Sequence, residues 1–209
     1  MSANPGLQIS LDVKGRSCLV LGGDDEAAEK VNRLLEAGAK VTVINPTLND
    51  ALRKLTASAK ILHRGRLFRE AYADGVALVI NTLRGNQDFS KSLYELARRE
   101  RFLLCSTDQP ESSTVMMPAV VSRGHLRLAI STSGMSPALA SLLRQEFTRI
   151  FDDEFASFLD WVAAGRAEAK ASEPDAEQRR GLLRDMVSGV KITCKVEYPK
   201  AWLDERKKT

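Results

Sequence analysis

Apolar positions along this chain follow two rhythms, short solid runs and longer helical stripes, and they alternate through its first half. Residues 17–21 (Ser-Cys-Leu-Val-Leu) form a solid run that ends in Gly22-Gly23, the pattern of a strand buried on both faces. Residues 26–37 follow, with Ala27, Val31, Leu34 and Leu35 at helical spacing and Gly38 where a helix C-cap is expected. Residues 41–44 are a second, β-branched strand, broken by Asn45-Pro46, and 48–55 reads as a helix. Residues 60–63 are a short third strand and 76–80 a fourth apolar run. Residues 89–99 carry Leu93, Leu96 and Ala97 at helical spacing, and 102–105 form a fifth strand. Strands alternating with helices over short loops predict βαβ units and a parallel sheet. The expected class is therefore α/β, with a Rossmann-type parallel sheet over the first ~110 residues.

The rhythm then changes. Residues 115–121 and 126–130 are apolar runs around Ser122-Arg123-Gly124-His125, an antiparallel hairpin or two linked strands. The polar loop 131–137 ends in Ser136, a helix cap, and Pro137, suited to a first turn. The next helix runs from about 138 toward 150. From 152 the pattern stays helical, with Phe155, Phe158, Leu159 and Val162 on one stripe. Residues 171–175 break it, 176–187 read as a further helix, and the last ~20 residues show no clear pattern. The expected organisation is a nucleotide-binding domain at 1–113, a dimerisation and active-site region at 114–150, and a helical C-terminal domain at 151–209.

Composition narrows the class. Hydrophobic residues are 44% of the 209, enough for a packed core. No apolar run reaches the ~18–20 residues of a membrane span, and the N-terminus lacks the basic-then-apolar order of a signal peptide, so a cytoplasmic location and no membrane partner are expected. Cys18, Cys105 and Cys194 are odd in number and far apart, unlike a disulfide framework or a structural zinc site. The first two sit in apolar runs and read as buried thiols. A net charge of +4 favours an acidic small molecule, and there is no Lys/Arg stripe interleaved with aromatics to indicate nucleic acid.

Candidate chemistry begins at the turn after the first strand, Gly22-Gly23-Asp24-Asp25-Glu26-Ala27. A strand, a glycine turn and a helix N-terminus form a seat for a pyrophosphate. Gly22 and Ala27 fit G-x-G-x-x-G/A, but Asp24 stands at the second glycine position, where a side chain obstructs approach and its charge repels phosphate. Asn45 stands near the place of the usual ribose-binding acid. The acids have an alternative role as helix caps and first-turn charges. The turn alone leaves open a dinucleotide site or a turn that kept the fold and lost the ligand.

Three segments carry more. Residues 11–16 (Leu-Asp-Val-Lys-Gly-Arg) lead into the first strand, Asp108-Gln109-Pro110-Glu111 follows the fifth, and Met117-Pro118-Ala119-Val120-Val121 precedes residues 129–140 (Ala-Ile-Ser-Thr-Ser-Gly-Met-Ser-Pro-Ala-Leu-Ala). In order and spacing these resemble the siroheme synthase N-terminal family, which holds precorrin-2 dehydrogenases and bifunctional dehydrogenase/ferrochelatases. The resemblance covers residues 5–150 and is most specific from 131 to 144. It implies NAD-dependent oxidation of precorrin-2 to sirohydrochlorin, Fe2+ insertion in many members, and a homodimer whose contact follows the Rossmann domain. It implies Asp108 as the catalytic carboxylate, a general base as the macrocycle loses a hydride or an acceptor of pyrrole protons. It implies Gly22, Gly23, Asp25, Glu26, Pro46 and Thr47 along the NAD cofactor, and Thr132 with Ser133 near the tetrapyrrole. Read without the resemblance, Asp108 is a loop cap after a strand and Thr132 simple turn chemistry.

His63 and His125 are the only histidines, and no pair or Cys/His cluster has metal-ligand spacing, so no protein metal site is expected. Arg123, Arg127 and Arg144 are candidates for the substrate's carboxylates, with a solvated face the plainer reading of each. The chain departs from the family at Asp24, where a third glycine is usual, and at Asn81-Thr82-Leu83-Arg84-Gly85, where Ala-Ala-Thr and an acid or amide are usual. Both changes fall in the cofactor-binding half. Three readings follow: a precorrin-2 dehydrogenase, with or without ferrochelatase activity; a tetrapyrrole chelatase or carrier that no longer uses NAD; and a nucleotide-sensing or scaffold protein without chemistry.

Overall fold

A computed structural model describes residues 6–206 of the chain. They divide into two compact units, one of residues 6–119 with 130–142 and the other of 120–129 with 143–206.

The first unit is built on a five-stranded parallel sheet in the order β3-β2-β1-β4-β5. Its strands are β1 (Ser17–Leu21), β2 (Lys40–Ile44), β3 (Leu62–Arg64), β4 (Leu78–Asn81) and β5 (Leu103–Ser106). Helices α1 (Asp25–Glu36), α2 (Asp50–Ala57) and α3 (Gln87–Glu100) connect them. The apolar runs are solid because both faces of the sheet are covered. Cys18, Val20, Val43 and Ile80 pack with Ala27, Val31 and Leu34 of α1 and Leu52 of α2. Leu19, Leu21, Val79 and Leu104 pack with Leu93, Leu96 and Ala97 of α3. Val20, Leu21, Ile80 and Leu104 are fully buried, each such side chain contributing roughly 1.5–3 kcal/mol. Cys18 and Cys105 are buried as expected.

Strand order fixes where a site can form. From β1 the chain builds outward through β2 to β3, then returns to the other side of β1 as β4. The connections after β1 and β4 therefore leave the sheet in opposite directions and open a crevice at its carboxyl edge, the place where such sheets bind ligands.

Element ends differ from the sequence expectation for local reasons. Asn49 caps α2 by accepting from Leu52 N, so α2 begins at Asp50 rather than 48. Asn86 caps α3 by accepting from Phe89 N, which sets its start at Gln87. The expected strand at 115–121 is shorter, β6 (Ala119–Arg123). Before it, Thr114 and Val115 donate instead to Leu104 O, and Pro118 has no N–H to give a ladder.

In the second unit β6 and β7 (Leu126–Ile130) form a two-stranded sheet joined at Gly124-His125; a two-residue connection makes this a hairpin. The unit also holds the latter part of α4 (Pro137–Ile150), with α5 (Asp153–Ser172), α6 (Ala176–Asp185) and α7 (Lys200–Arg206). The last of these lies where the sequence shows no clear pattern. Arg123 fixes the hairpin base by donating from Nε to Phe151 O at 3.0 Å, with Asp153 at 3.5 Å. A run of ring contacts links Phe147, Phe151, Phe155, Phe158 and Trp161 in sequence. Among the described residues no helix is long and apolar enough to cross a membrane.

Candidate active site

The glycine turn leaves the carboxyl end of β1 between the loops that follow β2 and β4. Gly22 has φ 138°, and a Cβ there would overlap the Thr82 hydroxyl. Thr82 is itself buried and donates from Oγ1 to Leu21 O at 3.0 Å. A Cβ on Gly23 would overlap the Thr47 carbonyl. That loop is tied down by Asn45 Nδ2 donating to Thr47 O at 2.6 Å and by Asn49 N donating to Gly23 O at 2.7 Å. His63 Nε2 lies 2.9 Å from Asn45 O and belongs to the same brace. The two glycines are thus required by protein packing on both flanks.

Asp24 is exposed and is the N-cap of α1: its Oδ1 accepts from Ala27 N at 3.0 Å. The side chain turns back onto its own helix rather than into the crevice. Asp25 Oδ1 accepts from Asn49 Nδ2 at 2.7 Å. Glu26 pairs with Arg84 at 2.6 Å across 58 positions of sequence. The Arg84 guanidinium is held more firmly protonated than usual, first by its hydrogen bond to Glu26 and that residue's charge, then by the charges of Asp24 and Asp108.

These features test whether a dinucleotide fits. The N–H groups of Asp25 and Glu26, in the first turn of α1, have no intrahelical acceptor and no other protein acceptor among the described residues. Asp24 uses only the Ala27 N–H, and the other two acids at the turn are held by Asn49 and Arg84. The donor set suits a pyrophosphate, and the residues present fit the group.

Asp108 stands beyond the end of β5, exposed, with Oδ2 accepting from Gly85 N at 3.3 Å. This bond ties the loop after β4 to the loop after β5. Beside it lies a cavity of about 420 Å³ lined by Gly85, Asn86, Gln87, Asp88, Asp108, Gln109 and Glu111. Arg84, Gln109, Asp88 and Glu111 were not singled out as site residues from the sequence. Arg84 falls in the segment that departs from the family, and Gln109 and Glu111 fall beside Asp108 in a segment that carries the resemblance; Asp88 had no signal.

Of the expected site residues, Gly22, Gly23, Asp25, Glu26, Pro46 and Thr47 come together at the carboxyl edge, with Pro46 and Thr47 exposed. Thr132 and Ser133 do not line the cavity. Thr132 Oγ1 donates to Ser136 O and accepts from Ser136 N, both at 3.1 Å, and Ser133 N donates to Ser131 Oγ. Their polar atoms close the turn before α4. In the second unit Arg127 donates to Gly124 O and Leu126 O, and His125 faces Asp160 at 3.6 Å with both exposed. Among the described residues no group of three or more His, Cys, Asp or Glu is placed to hold a metal ion.

Residues 9–119 match the family model described as "Putative NAD(P)-binding", and residues 123–150 match the sirohaem biosynthesis protein central domain. The chain belongs to the siroheme synthase N-terminal family. Its first unit is that family's Rossmann domain, and the model it matches is one of NAD(P) binding. Similar curated proteins include the siroheme synthase of Methylobacillus flagellatus, 32% identical over 184 residues, covering 88% of this chain and 39% of the relative. That of Thioalkalivibrio sulfidiphilus is 33% identical over 181 residues, covering 87% and 37%. The chain thus spans about two fifths of the length of these relatives. Among solved structures, SirC, a precorrin-2 dehydrogenase, superposes with a TM-score of 0.73 at 22% identity, over 87% of this chain and 89% of that one; this likeness is one of fold.

Proposed function

We propose that this protein oxidises precorrin-2 to sirohydrochlorin with NAD+ in siroheme biosynthesis. The observation that carries the reading is the position of Asp108, whose carboxylate is tied by Gly85 N–H at the mouth of a polar cavity on the carboxyl edge of the sheet. The Asp25 and Glu26 N–H groups and the Gly22-Gly23 turn would hold the dinucleotide's pyrophosphate, with Pro46 and Thr47 also along the cofactor. Bound there, the nicotinamide supplies hydride acceptance. Asp108 accepts the proton that the macrocycle releases as it gives up the hydride. Thr132 and Ser133 approach the tetrapyrrole through their turn.

The reading further assigns residues 114–150 to the contact of a homodimer, the helical residues 151–209 to a C-terminal domain, and the protein to the cytoplasm. Sedimentation velocity of the purified chain checks the dimer. The enzyme reading is tested by NADH absorbance with precorrin-2 and saturating NAD+; absence of turnover defeats it.

A second reading, a tetrapyrrole chelatase or carrier that has lost NAD, is favoured by one feature: Asp24 occupies an N-terminal donor of α1 and adds a negative charge at the turn. Iron, as Fe2+, is then substrate rather than resident cofactor. Sirohydrochlorin-dependent iron insertion without NADH formation supports it, and tight NAD+ binding by calorimetry counts against it.

A further inference from the structure

Gln109 follows Asp108 and is only 5% exposed, yet it lines the cavity. Its backbone is fully used: N donates to Ser106 O, and O accepts from Ser112 N and Ser113 Oγ. Its side-chain amide has no hydrogen-bond partner among the described residues. Native folds leave few buried polar groups unpaired. The neighbouring Ser106 Oγ and Thr107 Oγ1 are unpaired as well, but they are sealed from the surface. Gln109 is the member of this run that borders open space.

The rest of the lining says what kind of group enters. Its charged members are Asp88, Asp108 and Glu111, with no lysine, arginine or histidine. Asn86 Oδ1 is committed to Phe89 N, and Gly85 N to Asp108. A ligand carboxylate here faces three like charges, while a ligand N–H meets acceptors. We infer that Gln109 is a ligand-binding residue whose Oε1 accepts a hydrogen bond from an N–H group of the ligand, beside Asp108. The inference rests on the proposed function and adds orientation: the carboxylate-bearing rim of a tetrapyrrole stays outside this cavity. Two sources share the chemistry, the pyrrole N–H groups of the macrocycle and the carboxamide of nicotinamide.

The test uses the full chain as wild type, Gln109→Leu and Gln109→Glu. NAD+ is titrated by calorimetry, sirohydrochlorin by fluorescence quenching, and each protein is melted. Gln109→Leu is expected to weaken one ligand about tenfold with little change in melting temperature. Gln109→Glu keeps an acceptor and is expected to bind that ligand within about threefold of wild type. The ligand that weakens identifies the source of the N–H. If Gln109→Leu does not fold, Gln109→Met takes its place with the same expectation. Unchanged affinity of the apolar variant for both ligands overturns the inference alone. Loss in Gln109→Glu equal to that in the apolar variant also overturns it, because the amide then acts as a donor. Wild-type protein that binds neither ligand overturns the proposed function together with the inference.

Discussion

The hydroxyl of Thr82 occupies the space that a side chain on Gly22 would need, and the same hydroxyl ties the end of β1 through Leu21 O. The loop after β4 therefore sets the shape of the glycine turn. Gly22→Ala suffers both the collision and a φ of 138° and is expected to lose about 2 kcal/mol or more of stability. Adding Thr82→Ala relieves only the collision, so the double variant is expected to recover part of the loss. Urea unfolding of the three proteins checks both statements.

Asp24 separates a structural role from an electrostatic one. Asp24→Asn keeps a capping oxygen for Ala27 N and removes the charge, so stability is expected within about 0.5 kcal/mol of wild type, whereas Asp24→Ala loses about 1 kcal/mol. Calorimetry is expected to show tighter NAD+ binding for Asp24→Asn, with the gain shrinking as salt is added.

Asp108→Asn preserves an oxygen for Gly85 N and removes the base. NADH formation from precorrin-2 is expected to fall by at least about 100-fold while NAD+ affinity and melting temperature hold. Activity retained in this variant removes Asp108 from the chemistry.

Much of the fold is legible in the sequence because its signals are local. The solid runs at β1, β2 and β4 mark strands covered on both faces, and the stripe Ala27, Val31, Leu34 marks the buried side of α1. The helix starts shifted because single side chains, Asn49 and Asn86, set them through caps. The site is less legible because its bonds are long in sequence. Glu26 and Arg84 are far apart, as are Gly85 and Asp108, and no periodicity links them. Asp24 reads as a defect of the phosphate turn when matched to a motif. Its geometry makes it a cap, a role that the acids at a helix start leave open. Gln109 is legible only as a neighbour of Asp108 in the segment that resembles the family, since its own significance lies in an amide left unpaired by its surroundings.

The thiols offer a pH test with a definite sign. Burial raises Cys18, and burial outweighs a backbone hydrogen bond and the charges of Lys30 and Arg33 to raise Cys105, above the ordinary value of 9.0. Both stay neutral in the folded protein after they would ionise in the unfolded chain. Their contribution is present below pH 9.0 and is lost as pH rises through the shifted values. Stability is expected to decline on that alkaline side, less steeply in Cys18→Ala/Cys105→Ala after correction for lost packing. At neutral pH a thiol reagent is expected to label the exposed Cys194 quickly and the other two only after denaturation.

The chain's two tryptophans, Trp161 at the end of the ring series and Trp202 in α7, both belong to the second unit. Indole emission consequently reports on that unit alone, while far-ultraviolet dichroism sums over helices in both. If the units lose structure separately, the two signals are expected to trace different denaturation curves; coincident curves would mark a single cooperative transition. An optical handle for the second unit is thus present without any label.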